Sequence, residues 1–168
     1  ALLNDSRSCG FCFNDRLYIL DGANYVYLDG ETFGQVKDIA YVPRTVISKN
    51  PDGSGGAVLE GINILSDRWT ESFYGQKDEQ TYQLSFAELS EEKVTVRVMK
   101  SDGISWKELQ EGTDFTVDRA SGQVIFSAAP GASPAEGQDN VYITAARDLT
   151  AQREKVTRSD TCITYGEA

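Results

Sequence analysis

Two closely spaced cysteines are the first residues in the chain that could do chemistry. Cys9 and Cys12 stand in the sequence "CGFC", and the third cysteine, Cys162, lies far away. A C-x-x-C pair is typical of a redox site or of half a zinc site, but here only a carboxylate could complete four zinc ligands. The pair also leads into a strand pattern. We therefore expect ordinary reduced cysteines, with metal and redox roles as the alternatives, and the odd cysteine count favours synthesis in a reducing compartment.

Carboxylates are the remaining candidates for catalysis, because the sequence contains no histidine. That absence removes Ser-His-Asp and Cys-His arrangements and the commonest general base near neutral pH. Glu88, Glu91 and Glu92 flank a predicted turn, and Asp114 and Asp118 lie within one strand–turn unit. Nothing marks any two of them as a desolvated pair, which an acid catalyst requires. We expect no catalytic, cofactor-binding or metal site, and a protein that is not an enzyme.

Aromatic side chains could form a stacking platform for sugars. Two sets stand out: Tyr18, Tyr25 and Tyr27 in the opening strands, and Trp69, Phe73 and Tyr74 further along. Packing in a core or an interface is the favoured interpretation. Sugar binding remains the alternative, with Trp69 and Trp106 as the residues whose replacement would test it.

The net charge bears on possible partners. The chain carries 16 Lys and Arg against 26 Asp and Glu, a formal charge of −10. Nucleic-acid and anionic-membrane binding need clustered basic residues, so this balance disfavours both. No apolar run approaches the roughly 18 residues that a membrane helix requires. We expect neither nucleic acid nor membrane among the partners.

A two-residue hydrophobic period dominates the first part of the chain and predicts an all-β protein. The segments "FCFNDRLYILDG" and "NYVYLDG" predict two strands joined by the turn Asp21-Gly22-Ala23-Asn24. A third extended piece, "VKDIAYVP", ends at Pro43. The stretch from Ile47 to Gly61 predicts a plain loop, because it lacks the ligand spacing of an EF-hand and the lysine of a phosphate cradle. "INILSDRWTESFYG" is ambiguous between helix and strand.

From Thr81 onward the strand pattern is clearer. The sequence predicts these strands and turns: "TYQLSF", "KVTVRVMK", the turn Ser101 to Gly103, "ISWKEL", "DFTVD", the turn "RASG", "QVIFSA" and "VYITAARD". In the second strand Val94, Val96 and Val98 should share one face. About six strands in fewer than 70 residues favour a small β-sandwich. The last segment, "LTAQREKVTRSDTCITYGEA", should begin charged and end as a strand.

One segment resembles β-sandwich modules that recur in phage tail and tail-fibre proteins. It reads "EGTDFTVDRASGQVIFSAAPGASPAEGQDNVYITAARD". The shared features are a "G-T/V-D-Y/F-T-V" strand, a "G-x-V-x-F" strand, an "A-P" stop and a final "V-x-V/I-x-Y" strand. They correspond to Gly112–Val117, Gly122–Phe126, Ala129-Pro130 and Val141–Thr144. The resemblance implies a structural module.

A second segment is similar to propeller-like structural proteins of prophages in Gram-positive bacteria. Its pattern is Tyr41-Val42-Pro43, a glycine-rich loop, and then "E-x-x-N-L-L-T", here Glu60–Ser66 with Ile64 for Leu and Ser66 for Thr. In those proteins an inserted β domain interrupts the first blade. Because one blade cannot close a propeller, the resemblance implies a piece of a larger protein.

Together these features give the expected organisation. The fold class is all-β, with a small antiparallel Ig-like β-sandwich inserted into an incomplete β-meander like a propeller blade. The expected domains are a blade-like meander with a glycine-rich loop (1–69), a β-sandwich module (70–147) and a return segment completing the first sheet (148–168). Residues Phe11 to Pro43 should then lie at an exposed sheet edge or pair with Cys162 to Tyr165.

The resemblances also imply a role. The expected function is a non-enzymatic structural component of a phage or prophage particle, made in the bacterial cytoplasm and located in the virion. Its expected partners are other virion subunits or further propeller blades of the same full-length chain, and a host surface glycan is a further candidate. The alternative is a carbohydrate- or cell-surface-binding β-sandwich module.

Overall fold

The computed structural model describes residues 3–159 and 161–163. Strands make up 39% and helices 8%, which confirms the all-β prediction. The chain forms two compact units. We call them the meander unit (the described residues of 1–41, 64–66 and 149–168) and the two-sheet unit (42–63 and 67–148).

The meander unit is built on one antiparallel sheet. Its strands are β1 (Cys9–Phe13), β2 (Arg16–Leu20), β3 (Tyr25–Asp29) and β4 (Thr32–Gln35), and its helices are α1 (Val36–Ile39) and α2 (Thr150–Thr157). The strands pair in chain order, so β1 and β4 form the two edges. Four strands per sheet is also the number in one propeller blade.

Local chemistry explains where this sheet agrees with the prediction and where it differs. The turn from Asp21 to Asn24 joins β2 and β3 as predicted. The segment predicted as one strand before it is a hairpin, because Asn14 and Asp15 adopt positive φ angles of 48° and 60°. Both residue types tolerate that conformation, which matches the twist of a two-residue hairpin.

Two further segments of the meander unit differ from the prediction. The piece "VKDIAYVP" was expected to be extended, but its start forms α1, a single turn that buries Val36. The charged stretch near the end forms α2, where the i,i+4 pair Glu154–Arg158 has an Nη2–Oε2 distance of 2.7 Å. Of the predicted final strand, residues 161–163 are not in a strand, and the rest lies outside the described residues.

The two-sheet unit contains the remaining strands. They are β5 (Arg44–Lys49), β6 (Gly55–Val58), β7 (Arg68–Phe73), β8 (Thr81–Gln83), β9 (Thr95–Met99), β10 (Trp106–Leu109), β11 (Phe115–Asp118), β12 (Gln123–Phe126) and β13 (Val141–Ala146). One six-stranded sheet has the order β10-β9-β13-β7-β5-β6, and a three-stranded sheet has the order β11-β12-β8. The predicted hairpins β9–β10 and β11–β12 are confirmed. The β5–β7 pair is parallel, and the Ig-like topology stays a prediction.

The stretch predicted as a plain loop is a hairpin that joins the six-stranded sheet. Gly55 and Gly56 take positive φ angles of 67° and 78°. A Cβ atom on Gly56 would lie 2.9 Å from the carbonyl oxygen of Ile47, so this edge strand needs glycine. Because β5 also pairs with β7, residues 42–63 belong to the two-sheet unit and not to the first domain predicted for 1–69.

Both sheets of this unit contribute to one hydrophobic core. Its largest members are Trp69, Phe73, Tyr82 and Phe115. The valine alternation predicted for β9 is confirmed, because Val94 and Val96 are buried in this core and Val98 packs against it. Within the described residues, the structure contains no helix long and apolar enough to cross a membrane.

Candidate functional site

The outer face of the six-stranded sheet carries a pair of partly exposed aromatic residues beside a cleft. Val141 and Ile143 of β13 are fully buried, so Tyr142 between them points to the opposite face. Strand register places Tyr142 opposite Arg97 of β9 and Ser72 of β7. The alternation of β13 therefore fixes the position of this ring.

Four side chains form a continuous stack on this face. The rings of Trp106 and Tyr142 are stacked, with centroids 4.6 Å apart and planes at 26°. The Arg97 guanidinium carbon lies 5.5 Å from the Trp106 centroid, and that of Arg44 lies 4.8 Å from the Tyr142 centroid. We call Arg44, Tyr142, Trp106 and Arg97 the outer stack. Cation–π contacts of this kind contribute about 0.5–1 kcal/mol each at exposed positions, so they restrain the orientation of both rings.

A cleft of about 430 Å³ opens beside the outer stack. Its lining combines Trp106 and Tyr142 with Ser48, Met99, Gly103, Ile104, Gly137, Gln138 and Asp139. Asp139 accepts hydrogen bonds through Oδ2 from the backbone N–H of Ser48 at 2.9 Å and from the hydroxyl of Ser72. Its Oδ1 is buried without a partner among the described residues. An acceptor that is buried without a partner costs about 1–3 kcal/mol, and a ligand in the cleft does not reach this atom because it is buried.

One turn at this cleft carries a fixed negative charge. Asp102 accepts hydrogen bonds from the Ser105 hydroxyl at 2.5 Å, from the backbone N–H of Ile104 at 2.9 Å and from that of Ser105 at 2.8 Å. These bonds, led by that of the Ser105 side chain, lower the pKa of Asp102 to about 2. The carboxylate is therefore ionised at neutral pH, and it stabilises the predicted turn between β9 and β10.

The meander unit holds a second aromatic row. Phe11 stacks on Tyr18 with centroids 5.3 Å apart, and Tyr18 lies 6.1 Å from Tyr25. The Arg16 guanidinium lies 5.7 Å from the centroid of Tyr27. These rings are half-buried. The tyrosines singled out in the sequence thus share one face of the meander sheet, together with Phe11.

The second predicted aromatic set is mostly structural. Trp69 and Phe73 are buried in the core of the two-sheet unit, whereas Tyr74 is 38% exposed. The core interpretation is confirmed for Trp69 and Phe73. Trp69 has no face available for a ligand, so Trp106 is the tryptophan to test for sugar binding.

The cysteines do not behave as expected. Cys9 forms a disulfide with Cys162, with 6.0 Å between their Cα atoms, and Cys12 is free and exposed. The expectation of reduced cysteines is therefore wrong for Cys9 and Cys162. Because Cys9 and Cys12 are three residues apart on β1, their side chains point to opposite faces and cannot act together. The described residues include no cluster of side chains suited to hold a metal ion.

The candidate carboxylates serve turns and surface contacts. Asp114 accepts a hydrogen bond from the backbone N–H of Gln110 at 2.9 Å, and Asp118 accepts one from that of Ala120 at 3.1 Å. Glu91 is 95% exposed and lies 3.6 Å from Arg119. Glu88 and Glu92 are exposed as well. The structure does not bring these groups together into a desolvated pair.

One buried ionic pair was missed by the sequence interpretation. Lys49 of β5 and Glu71 of β7 approach to 2.8 Å, and their side chains are 5% and 0% exposed. The signal was present in β7, where Glu71 alternates with Trp69 and Phe73 and so occupies an inward position. The partner could not be read from the sequence, because it comes from a parallel strand.

Comparison of the chain with models of protein families, with curated proteins and with solved structures finds no match. The likeness to phage proteins therefore remains a resemblance between short sequence patterns. The geometry of the chain itself is the basis for the functional argument.

Proposed function

We propose that this chain is a non-enzymatic structural component of a phage or prophage particle, in its tail or head–tail region, and that it acts through protein–protein contacts. The observation that carries the proposal is the edge of the six-stranded sheet at β6. All four residues of β6 are exposed, and Val58 and the following Leu59 are 83% and 54% exposed. An open edge of this kind offers unpaired backbone groups to a neighbouring chain.

The meander unit supports the same proposal. Among the described residues, β1 and β4 form the edges of its four-stranded antiparallel sheet, and Phe13 and Phe33 on those strands are 57% and 39% exposed. Propeller blades pack the apolar faces of their sheets against neighbouring blades and leave only short, protected edges. Further blades of a longer chain, or other virion subunits, would cover them in the same way.

The chemistry of the described carboxylates also favours a structural role. Asp114 and Asp118 accept hydrogen bonds in turns, and Glu71 is paired with Lys49. Glu88, Glu91 and Glu92 lie exposed on the surface. An acid catalyst instead needs a desolvated carboxylate whose pKa is raised.

The test is to purify particles induced from a lysogen that carries the gene and to measure the chain in them by quantitative mass spectrometry. The chain should appear in fixed ratio to the known structural proteins. Val58→Lys should then lower its incorporation, because a charge on an open edge blocks strand addition. Ile104→Lys is the matched control, since Ile104 is also 83% exposed but lies in a turn. Absence of the chain from purified particles would refute the proposal.

A carbohydrate- or surface-binding role is the second candidate, and the outer stack with its cleft is the observation that favours it. Ring faces pack on the C–H bonds of sugars, and the cleft beside them is also lined by the polar residues Ser48 and Gln138. In a glycan array, binding by the wild-type chain should fall about tenfold or more with Trp106→Ala. Tyr18→Ala, which removes a ring of the meander unit, should leave glycan binding unaltered. No glycan binding by the wild-type chain would exclude this role.

A further inference from the structure

The buried pair between Lys49 and Glu71 has more than an ionic contact. Lys49 is the last residue of β5, and Glu71 lies within the neighbouring strand β7. The Lys49 Nζ atom lies 2.8 Å from Glu71 Oε2 and 5.5 Å from the ring centroid of Phe73. The amine of Lys49 and the carboxyl group of Glu71 are thus held in contact in a largely water-free part of the two-sheet unit.

The two carboxylate oxygens of Glu71 have different surroundings. Oε1 accepts hydrogen bonds from the indole N–H of Trp69 and from the backbone N–H of Ser85, both at 2.9 Å. Two fixed donors on one oxygen are the arrangement that stabilises the oxyanion of a tetrahedral intermediate. Oε2 faces the lysine amine and the hydroxyl of Ser85, at 2.8 and 3.1 Å, and the backbone N–H of Ser85 is shared with it at the longer distance of 3.2 Å.

The Ser85 hydroxyl lies between the lysine amine and the Glu71 carboxylate. Its Oγ is 2.9 Å from Lys49 Nζ and 3.1 Å from Glu71 Oε2. The hydroxyl can therefore pass a proton from Lys49 Nζ to Glu71 Oε2. Ser85 itself is exposed, so a water molecule released beside it has a short route to solvent.

We propose that Lys49 and Glu71 react with each other to form an intramolecular amide bond between β5 and β7. A proton first passes from the ammonium group to the carboxylate, which leaves a neutral amine and a carboxylic acid. The Nζ–Cδ bond then forms and the Cδ–Oε2 bond breaks. Oε2 departs as water with two of the three ammonium protons, and the third remains on the amide nitrogen. No oxidant, metal or further reactant takes part.

Two physical effects favour this reaction. Positioned groups react with effective concentrations of about 10⁵–10⁸ M, because the entropy of their encounter has already been lost in folding. Burial of two charges is costly, and the amide removes both of them. The product would tie together neighbouring strands whose linked residues are 22 positions apart in the chain. This inference stands independently of the proposed role in a phage particle.

The first experiment is an intact-mass measurement of the wild-type chain after reduction of its disulfide. The mass should be lower than that of the sequence by one water, and digestion should give a branched peptide that joins Lys49 to Glu71. Asp-Gly steps such as Asp52-Gly53 also lose water by forming succinimides, so fragmentation must locate the change. Full mass, or a loss of water mapped to an Asp-Gly step, would overturn the proposal.

Variants separate the reaction from mere proximity. Lys49→Arg keeps a positive charge beside Glu71 but should restore the full mass, whereas the exposed control Lys107→Arg should keep the cross-link. Ser85→Ala should lower the cross-linked fraction about tenfold or more in chain purified after the same expression time. An unchanged fraction in Ser85→Ala would refute the proton relay, and a cross-link retained in Lys49→Arg would refute the assignment of the nitrogen.

Discussion

The two units of the chain are stabilised in different ways. The two-sheet unit has a continuous core formed by both of its sheets, with large fully buried side chains such as Trp69, Tyr82 and Phe115. The buried hydrophobic residues described in the meander unit are Leu20, Val26, Val36 and Leu149, and its aromatic row stays half-exposed. That unit instead has a disulfide and a heavily hydrogen-bonded turn. A small sheet with little interior needs such cross-links, whereas a two-layer unit can rely on packing.

The largest loss of stability should come from removing an aromatic ring from the core of the two-sheet unit. Phe73→Ala should lower the free energy of unfolding of this unit by about 3–5 kcal/mol, because it loses apolar burial and leaves a cavity. Urea unfolding, with hydrogen exchange followed peptide by peptide, measures the change and locates it. Ile104→Ala is the control, since Ile104 is 83% exposed. If both variants have the same stability, the core does not dominate this unit.

The next largest effect should come from the disulfide of the meander unit. Replacing Cys9 by serine should lower the free energy of unfolding of the meander unit by about 2–4 kcal/mol, mainly because the unfolded chain regains conformational freedom. Hydrogen exchange should become faster in β1 to β4, with the two-sheet unit unchanged. Cys12→Ser is the matched control, because Cys12 is free and exposed. Equal exchange rates in the two variants would mean that the disulfide does not stabilise the meander.

A smaller loss of stability should follow when the hydrogen bonds of Asp21, in the turn between β2 and β3, are weakened. Burial raises the pKa of Asp21, but the hydrogen bonds that it accepts from Asn4, Asn24 and Ala23 outweigh this and lower the pKa to about 2. Because the folded pKa lies below the unfolded value, the stabilisation is present above about pH 4 and is lost as the pH falls from 4 to 2. It amounts to about 2 kcal/mol for the meander unit.

Asp21→Asn tests this stabilisation. The variant should lose most of it at pH 7 and should show a flatter stability curve between pH 4 and 2. Hydrogen exchange in β2 and β3 provides the measurement. Asp102→Asn is the comparison, because Asp102 makes similar hydrogen bonds in the two-sheet unit but is exposed. A meander destabilised equally by both variants would contradict a local effect of the buried turn.

The sequence predicted the features of both units that depend on neighbouring residues. The turn at Asp21 and the hairpin at Asp102 were predicted because aspartate and glycine favour a local backbone geometry. The face shared by Val94 and Val96 follows from the two-residue period of a strand.

Features that depend on distant pairing were not predicted. Cys162 lies 153 residues from Cys9, and the parallel pairing that places Lys49 beside Glu71 leaves no local pattern. The same limit applies to the candidate site. Tyr142 and Trp106 lie on different strands, and only the order β10-β9-β13 brings their rings together.

The smallest effect at neutral pH should come from one hydroxyl in the core. Tyr82 is fully buried between Phe73 and Phe126, with ring centroids 5.3 and 4.9 Å away, and its hydroxyl has no partner among the described residues. Tyr82→Phe removes only this atom. It should change stability at pH 7 by no more than about 1 kcal/mol, and a gain is expected, because the hydroxyl pays a desolvation cost without a hydrogen bond.

The same residue should make the two-sheet unit sensitive to alkaline pH. Burial, with a smaller contribution from the charge of Glu79, raises the pKa of Tyr82 to about 12. The unfolded chain ionises near pH 10, so the unit should lose up to about 1.4 kcal/mol per pH unit between pH 10 and 12. Tyr82→Phe should remove that part of the slope, measured by urea unfolding at each pH. An equal slope in both proteins would show that this ring is more accessible to water than its packing indicates, and would weaken the contrast between the two units.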